Sequence, residues 1–296
     1  MTTYPIDWVD AFAGAPFGGN PCAVIHDADG LSPEVRMALV RETRLSECAY
    51  IVRSDKADFG ARYYLAGAEI PMAGHPTVAT VASLLDRGVV ALEDGHAAFT
   101  LEVGAGVMAI EVEADAHGPL IAMTQAAPVF GAEYDPGEIA ALYGLDATDI
   151  AHPPQDVSTG NPFCIAVLTG HDALARAVLD SERLFDWRTR HGHSESMEPF
   201  LVTLEGATAA GTTFSRLLLP PPNPPEDPFT GSATGCMAAY LWARGLIETP
   251  RLTAEQGHWM GRPGAAEVEV LGPQDAITGV RVGGRAAILM RGTLEV

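Results

Sequence analysis

The feature that most limits how this chain can fold is an internal echo. Ala73-Gly74-His75-Pro76-Thr77 runs into an apolar segment, residues 78–85, that ends at Arg87-Gly88. Thr230-Gly231-Ser232-Ala233-Thr234-Gly235 runs into a second, residues 236–243, that ends at Arg244-Gly245. The offset is the same at both ends, 231 − 74 = 157 and 245 − 88 = 157, so Gly74 matches Gly231, His75 matches Ser232 and Thr77 matches Thr234. Pro76 suits a first helical turn and a Gly after each Arg suits a C-cap, so both segments read as helices. A looser echo links Gly19-Asn20-Pro21-Cys22 with Gly160-Asn161-Pro162-Phe163. Two copies this far apart predict two similar halves rather than a solenoid of short repeats. A helix start presents N–H groups without intrahelical partners at the positive end of the helix dipole. Taken alone, each turn is an ordinary helix start. Duplicated, and facing one cleft between the halves, they are suited to hold an anion.

With 296 residues, 47% of them hydrophobic and 19% charged, the chain can bury a substantial core. A formal net charge of −20 argues against nucleic acid and anionic membrane partners, which need a basic face. An anionic small molecule has to be held locally, against the overall field. No basic segment followed by an apolar core opens the chain and no run approaches eighteen apolar residues, so a cytoplasmic protein is expected. Cys22, Cys48, Cys164 and Cys236 are scattered and read as small buried hydrophobes, and His191-Gly192-His193 reads as a polar loop rather than a metal pair. No metal site is expected.

Alternating apolar residues predict strands at 6–12, 22–25, 62–65, 107–113 and 120–124 among others, with Gly104-Ala105-Gly106 as a hairpin turn. Ser32-Pro33-Glu34 opens a helix to about Thr43. Residues 220–225, Pro-Pro-Pro-Asn-Pro-Pro, form a stiff approach to the second turn. Many short strands with few helices do not fit a parallel βαβ sheet. The expected class is α+β: two similar barrels or rolls, each a mixed, mainly antiparallel sheet around one central helix (77–85 and 233–243). The boundary is expected in the linker 115–119, giving halves 1–116, joined by the last strand at about 287–296, and 117–286.

Redox, phosphate, zinc-protease and nucleophile-elbow motifs are missing, which leaves general acid–base chemistry. The candidates are Glu47, His75, Asp227 and Glu226. His75 and Asp227 adjoin the two turns. Glu47 is flanked by Leu45, Ala49, Tyr50 and Ile51, an apolar setting that raises a carboxyl pKa towards neutral, as a proton shuttle needs.

Asp10-Ala11-Phe12, Gly18-Gly19-Asn20-Pro21, Leu45-Ser46-Glu47, Ala73-Gly74-His75-Pro76-Thr77, Glu226-Asp227-Pro228-Phe229-Thr230-Gly231-Ser232-Ala233, Glu255-Gln256-Gly257 and Gly261-Arg262-Pro263 together resemble the phenazine-biosynthesis (PhzF-like) isomerase family, of the diaminopimelate-epimerase-like fold. The motifs lie in the family's order over almost the whole length. The resemblance implies a site between two halves, a homodimer, no cofactor and a small-molecule substrate. Glu47 is the implied acid–base that moves a proton between carbons, assisted by His75 and Asp227, with Gly74, Gly231 and Ser232 binding the substrate. Asn20 and Pro76 are added to that binding set. Thiol epimerases of the superfamily carry a Cys before each turn; the matching positions are taken as Ala73 and Pro228, which disfavours a two-thiol racemase. The expected reaction is a double-bond or keto–enol isomerisation of a small carboxylate or carbonyl compound. An epimerase or racemase on the same fold, and an inactive binding protein, are the alternatives.

Overall fold

The computed structural model describes residues 1–193 and 197–296. They form two compact units, one of Met1–Thr124, Gly261–Ala266 and Gly283–Val296, the other of Gln125–Met260 and Glu267–Val282. In chain order the first 125 residues form β1 (Thr3–Ala11), β2 (Asn20–Ile25), α1 (Pro33–Thr43), β3 (Cys48–Val52), β4 (Phe59–Tyr64), β5 (Glu69–Ile70), α2 (Gly74–Asp86), β6 (His96–Val103), β7 (Gly106–Asp115) and β8 (Gly118–Gln125). Then come β9 (Val129–Glu133), α3 (Pro136–Ala141), β10 (Gln155–Ser158), β11 (Pro162–Val167), α4 (His171–Arg176), α5 (Ser181–His191), β12 (Pro199–Thr203) and β13 (Thr213–Leu218). The chain ends with β14 (Glu226–Asp227), α6 (Gly231–Ala243), β15 (Arg251–Gln256), β16 (Gly264–Leu271), β17 (Gly279–Gly284) and β18 (Ala286–Glu295). No described helix is long and apolar enough to cross a membrane.

The fold is α+β, and its two units repeat one strand plan. In the first, β1 pairs antiparallel with β2, β2 parallel with β3, β3 antiparallel with β4, and β4 antiparallel with β5 and parallel with β6. In the second, β10, β11, β12, β13, β14 and β15 repeat those pairings in the same order and sense. The registers agree residue by residue. Ala23 pairs with Cys48 and Cys164 with Pro199, so the offset grows from 164 − 23 = 141 to 199 − 48 = 151. At the short pair Tyr64–Glu69 and Leu218–Glu226 it reaches 226 − 69 = 157, the offset of the two helices. Insertions between elements account for the steps.

Each plan surrounds an apolar helix. α2 packs against β1, β2, β3 and β18, and α6 against β10 and β11. Gly231 to Leu241 of α6 are all buried, as an apolar stretch surrounded by sheet should be. The repeated Arg-Gly ends anchor these helices to matching strand positions. Arg87 grips Asp7 of β1 with two hydrogen bonds of 2.7 Å, and Arg244 donates to Gln155 of β10 at 2.8 Å and pairs with Glu133. Asp7 pairs with Val24 and Gln155 with Ile165, which keeps the offset of 165 − 24 = 141.

Two expectations about boundaries change. Residues 115–119 are no linker but the turn of the β7–β8 hairpin, where Asp115 pairs with Gly118 and its carboxylate accepts from His117 N at 2.7 Å. Residues 261–266 also belong with the first unit, because Arg262 is tied into it. Arg262 donates to Asp10 at 2.6 Å and to the carbonyls of Gly18 and Gly19 at 2.8 and 2.9 Å, while Gly19 N donates to Pro263 O at 3.0 Å. The Asp10, Gly18-Gly19-Asn20 and Gly261-Arg262-Pro263 motifs thus form one clamp. Gly19 has φ +50°, and a Cβ there would stand 2.0 Å from Ala11 O, so only glycine fits.

Candidate active site

In the first unit, Glu47 is the last residue before β3, at the end of the turn that follows α1. Arg44 closes α1 in the left-handed conformation, its N–H returning to Val40 O, and this turns the chain back towards the sheet. The Glu47 side chain is 19% exposed, and its Oε2 lies 3.9 Å from His75 Nδ1. That is too long for a hydrogen bond. It is also no ion pair at neutral pH, because burial lowers the His75 pKa to about 3 and the imidazole stays uncharged. His75 Nε2 is buried and has no hydrogen-bond partner among the described residues. Cys22 and Tyr63 lie within electrostatic reach of Glu47; both are buried, and burial first, with Glu47 adding, pushes their pKa values up.

His75 stands in the first turn of α2, and that turn differs from the solvent-facing helix starts. Ser32, Asp135 and Asp180 cap α1, α3 and α5 through their side chains, and each of those helices carries an acid in its first turn. The start of α2, N-capped by Ala73, and that of α6, N-capped by Thr230, have neither a side-chain cap nor an acid. Gly74, His75, Pro76 and Thr77 are all buried, and so are Gly231, Ser232 and Ala233. Buried first-turn N–H groups without capping side chains keep the dipole's positive end available for an anion. Thr77 braces its turn, donating to Ala73 O at 2.7 Å and bonding the Tyr63 hydroxyl at 2.8 Å.

In the second unit, Asp227 ends β14 and is almost fully buried. Thr230 Oγ1 donates to its carboxylate at 2.5 Å. Gln256 of β15, fully buried, donates to Asp227 O at 2.8 Å and accepts from Thr230 N at 3.0 Å, so three elements fix one corner. Gln125 donates to Gly231 O at 2.9 Å. The Pro-rich residues 220–225 form the loop of the β13–β14 hairpin that delivers Asp227. Asn20 opens β2 and is buried beside the Arg262 clamp.

Some candidates change status. Glu226 is held by Arg216 through bonds of 3.0 and 2.7 Å, while the same guanidinium donates to Leu174 O, so it serves as a structural ion pair. The residue matching Ala73 is Thr230, since 230 − 73 = 157, and not Pro228; neither position carries a thiol. Gln256 and Thr230, which hold the Asp227 corner, join the candidates. The sequence signals for them are the Thr just before the Gly-rich turn and the Gln in the Glu255-Gln256-Gly257 motif. Among the described residues no group of three or more His, Cys, Asp or Glu is arranged to hold a metal ion.

A family model described as phenazine biosynthesis-like protein matches residues 9–292. The trans-2,3-dihydro-3-hydroxyanthranilate isomerase of Pseudomonas fluorescens is 31% identical over 290 residues, 97% of either chain. Among solved structures, a phenazine biosynthesis protein of the PhzF family from Bacillus anthracis has a TM-score of 0.87 at 26% identity, covering 100% of both chains. A hydroxyproline epimerase from Agrobacterium vitis shares the fold, with a TM-score of 0.67 at 13% identity, covering 99% of this chain and 92% of its own.

Proposed function

We propose, from the premise that the chain belongs to the phenazine biosynthesis-like (PhzC-PhzF) family and is an isomerase, that it shifts a proton between carbons of a small carboxylate by acid–base catalysis at Glu47. The observation that carries this reading is the Glu47–His75 pair at an uncapped helix start. A carboxyl group and a neutral imidazole meet at a helix start whose N-cap, Ala73, supplies no side-chain cap.

Glu47 takes a proton from a carbon activated by a neighbouring carbonyl or double bond. The charge that develops on the substrate oxygen is met by N–H groups of the Gly74–His75 turn, which need no reorganisation as the charge forms. His75, uncharged, orients the substrate through Nε2, whose buried position makes a substrate hydrogen bond favourable. The proton then returns from the Glu47 carboxyl to a second carbon, leaving a new double-bond or keto isomer. In the second unit, Asp227, Gly231 and Ser232 form a corner of the same kind, suited to polar groups of a substrate, with Thr230 and Gln256 fixing Asp227 in place. Pro76 and Asn20 shape their turns. These steps call on side chains and backbone amides alone. The Pseudomonas fluorescens relative's name suggests a dihydro-hydroxyanthranilate or a similar cyclic carboxylate as the first substrate to try.

The test is turnover of trans-2,3-dihydro-3-hydroxyanthranilate in deuterated water by wild type and Glu47→Gln. A positioned acid–base group contributes roughly 10²–10⁴-fold, so the variant should lose that much with binding and folding kept. Near-normal turnover by the variant would overturn the assignment. Deuterium at the original carbon with a diastereomer as product would replace isomerisation by epimerisation.

A further inference from the structure

Each unit braces the N-cap of its central helix with one buried polar side chain, and the two units take that side chain from different strands. In the second unit it comes from β15. Gln256 accepts from Thr230 N at 3.0 Å and donates to Thr230 Oγ1 at 3.2 Å. The matching position in the first unit is Val103 of β6. Gly60 pairs with Glu102 as Phe214 pairs with Glu255, so 255 − 102 = 256 − 103 = 153. Val103 is buried and apolar, and the brace comes instead from the neighbouring parallel strand β4. There the fully buried Tyr63 bonds Thr77 Oγ1 at 2.8 Å. Its match in β13 is the buried Leu217. Tyr50 pairs with Arg62 as Leu201 pairs with Arg216, so 216 − 62 = 217 − 63 = 154. Tyr63 with Val103, and Leu217 with Gln256, therefore exchange one brace between two adjacent strands. The acids before β3 and β12 diverge too. Arg188 Nη2 holds Glu198 Oε1 at 2.6 Å, and burial raises the Glu198 pKa to about 7. Tyr63 stands in the unit that carries Glu47 and His75.

Both helix starts share the next link. Thr77 Oγ1 donates to Ala73 O at 2.7 Å, and Thr234, its match at 157, donates to Thr230 O at 3.0 Å. A threonine hydroxyl has one proton. Thr77 gives it to Ala73 O, so Tyr63 is the donor in the 2.8 Å contact. Burial raises the Tyr63 pKa, and the phenol keeps that proton. Donation into Thr77 strengthens the bond that Thr77 makes in turn. That bond ends on the carbonyl of Ala73, which shares one planar trans peptide with the N–H of Gly74. Holding the carbonyl therefore sets the direction of the Gly74 N–H.

We infer that Tyr63 is a positioning residue for the Gly74 amide, acting through Thr77 and the Ala73 carbonyl. The inference rests on the reading of the Gly74–His75 turn as the place where charge on the substrate oxygen is met. A donor aimed before the charge forms needs no reorganisation when it does.

The test takes Tyr63→Phe, Thr77→Val and the double variant of the full-length protein. It follows the NMR resonances of the Ala73 carbonyl carbon and the Gly74 amide nitrogen, and turnover of trans-2,3-dihydro-3-hydroxyanthranilate. Both resonances should move in each single variant, while those of Val81, about two turns further along α2, stay in place. Resonances that keep their wild-type positions would overturn the inference. A shift at Val81 as large as that at Gly74 would also overturn it, because the role would then be structural alone. In turnover, Tyr63→Phe should lower kcat about tenfold with KM within about twofold, a fraction of the roughly 10²–10³-fold lost with a whole oxyanion donor. Because Tyr63 acts through Thr77, the double variant should be no slower than Thr77→Val. A double variant slower by about a further tenfold, or a Tyr63→Phe loss confined to KM, would refute the inference. Should Thr77→Val not fold, Tyr63→Phe decides alone. Wild-type protein without turnover would sink the isomerase reading, and the NMR readout would then decide this inference by itself.

Discussion

Glu47 Oε2 stands 3.9 Å from Nδ1 of a His75 ring that burial keeps neutral, a carboxyl beside an uncharged imidazole rather than an ion pair. A neutral ring can donate or accept a hydrogen bond but does not titrate near pH 7. His75→Asn should therefore lower kcat/KM by roughly 10–100-fold through lost orientation, on the scale of a lost buried hydrogen bond. The inflections of the pH–rate profile should stay where they are. An inflection near pH 6.5 that disappears in the variant would show an imidazolium at work and refute this account.

The two perturbed groups should also oppose each other in stability. The folded pKa of His75 lies below its usual 6.5, so the unfolded chain binds more protons between pH 6.5 and about 3, and stability falls as pH drops through that range. The folded pKa of Glu198 lies above its usual 4.5, so the folded chain holds a proton the unfolded one has released, and stability falls as pH rises from 4.5 to about 7. Each has a limiting slope of about 1.4 kcal/mol per pH unit, with opposite signs. Between pH 4.5 and 6.5 they largely cancel. In urea unfolding over this window, His75→Asn should turn the stability slope negative relative to wild type and Glu198→Gln should turn it positive. Identical slopes in the three proteins would refute the prediction.

Arg87→Ala should be among the most damaging single changes. Asp7 is fully buried, and although burial works against its charge, Arg87 and Ser83 hold its pKa below the ordinary value. Removing the guanidinium strands a buried carboxylate, a loss on the order of 3–5 kcal/mol. Arg87→Ala combined with Asp7→Asn should recover part of that loss. Thermal melts of the three variants check it; an Arg87→Ala melt within a degree or two of wild type would contradict the role.

Gly235→Ala tests the latch on α6. A Cβ at 235 would stand 1.9 Å from Gln125 Oε1, the atom that accepts from Thr159 at 2.6 Å while Nε2 holds Gly231 O. The expected result is about 1–3 kcal/mol of destabilisation together with a raised KM. Adding Gln125→Ala removes the clash, so the double variant should be more stable than Gly235→Ala alone. A double variant that is less stable would mean the latch matters more than the clash.

The parts of this fold legible in the sequence are those with strong local chemistry. Ser32-Pro33-Glu34 marks the start of α1, with Pro33 its first residue, and the alternation around Gly104-Ala105-Gly106 gives the β6–β7 hairpin. The repeated helix starts, and with them the doubled architecture, show because no insertion falls between Glu69 and Gly88 that is not matched between Glu226 and Gly245. Other elements were hidden. α5 is mostly polar along Ser181–His191 and buries only Leu184, Trp187 and Arg188, so it lacks an apolar stripe, and its end at His191-Gly192 reads as a loop. β9 exposes all five residues, and β10 is four residues long. Glu47 and Glu198, each the residue before its strand (β3 and β12), match at an offset of 198 − 47 = 151 rather than 157, so only strand register reveals the pair.

Because β1 lies between β2 and the C-terminal β18, and Asp10 is gripped by Arg262, the first unit is assembled from pieces some 250 residues apart in the chain. A ribosome making this protein exposes Glu47 early but β18, the strand that closes its sheet, only some 240 residues later. The nascent amino-terminal portion must therefore wait, incomplete, until β18 has been made, and a stop codon near position 280 should yield a product cleared by proteolysis rather than a working half.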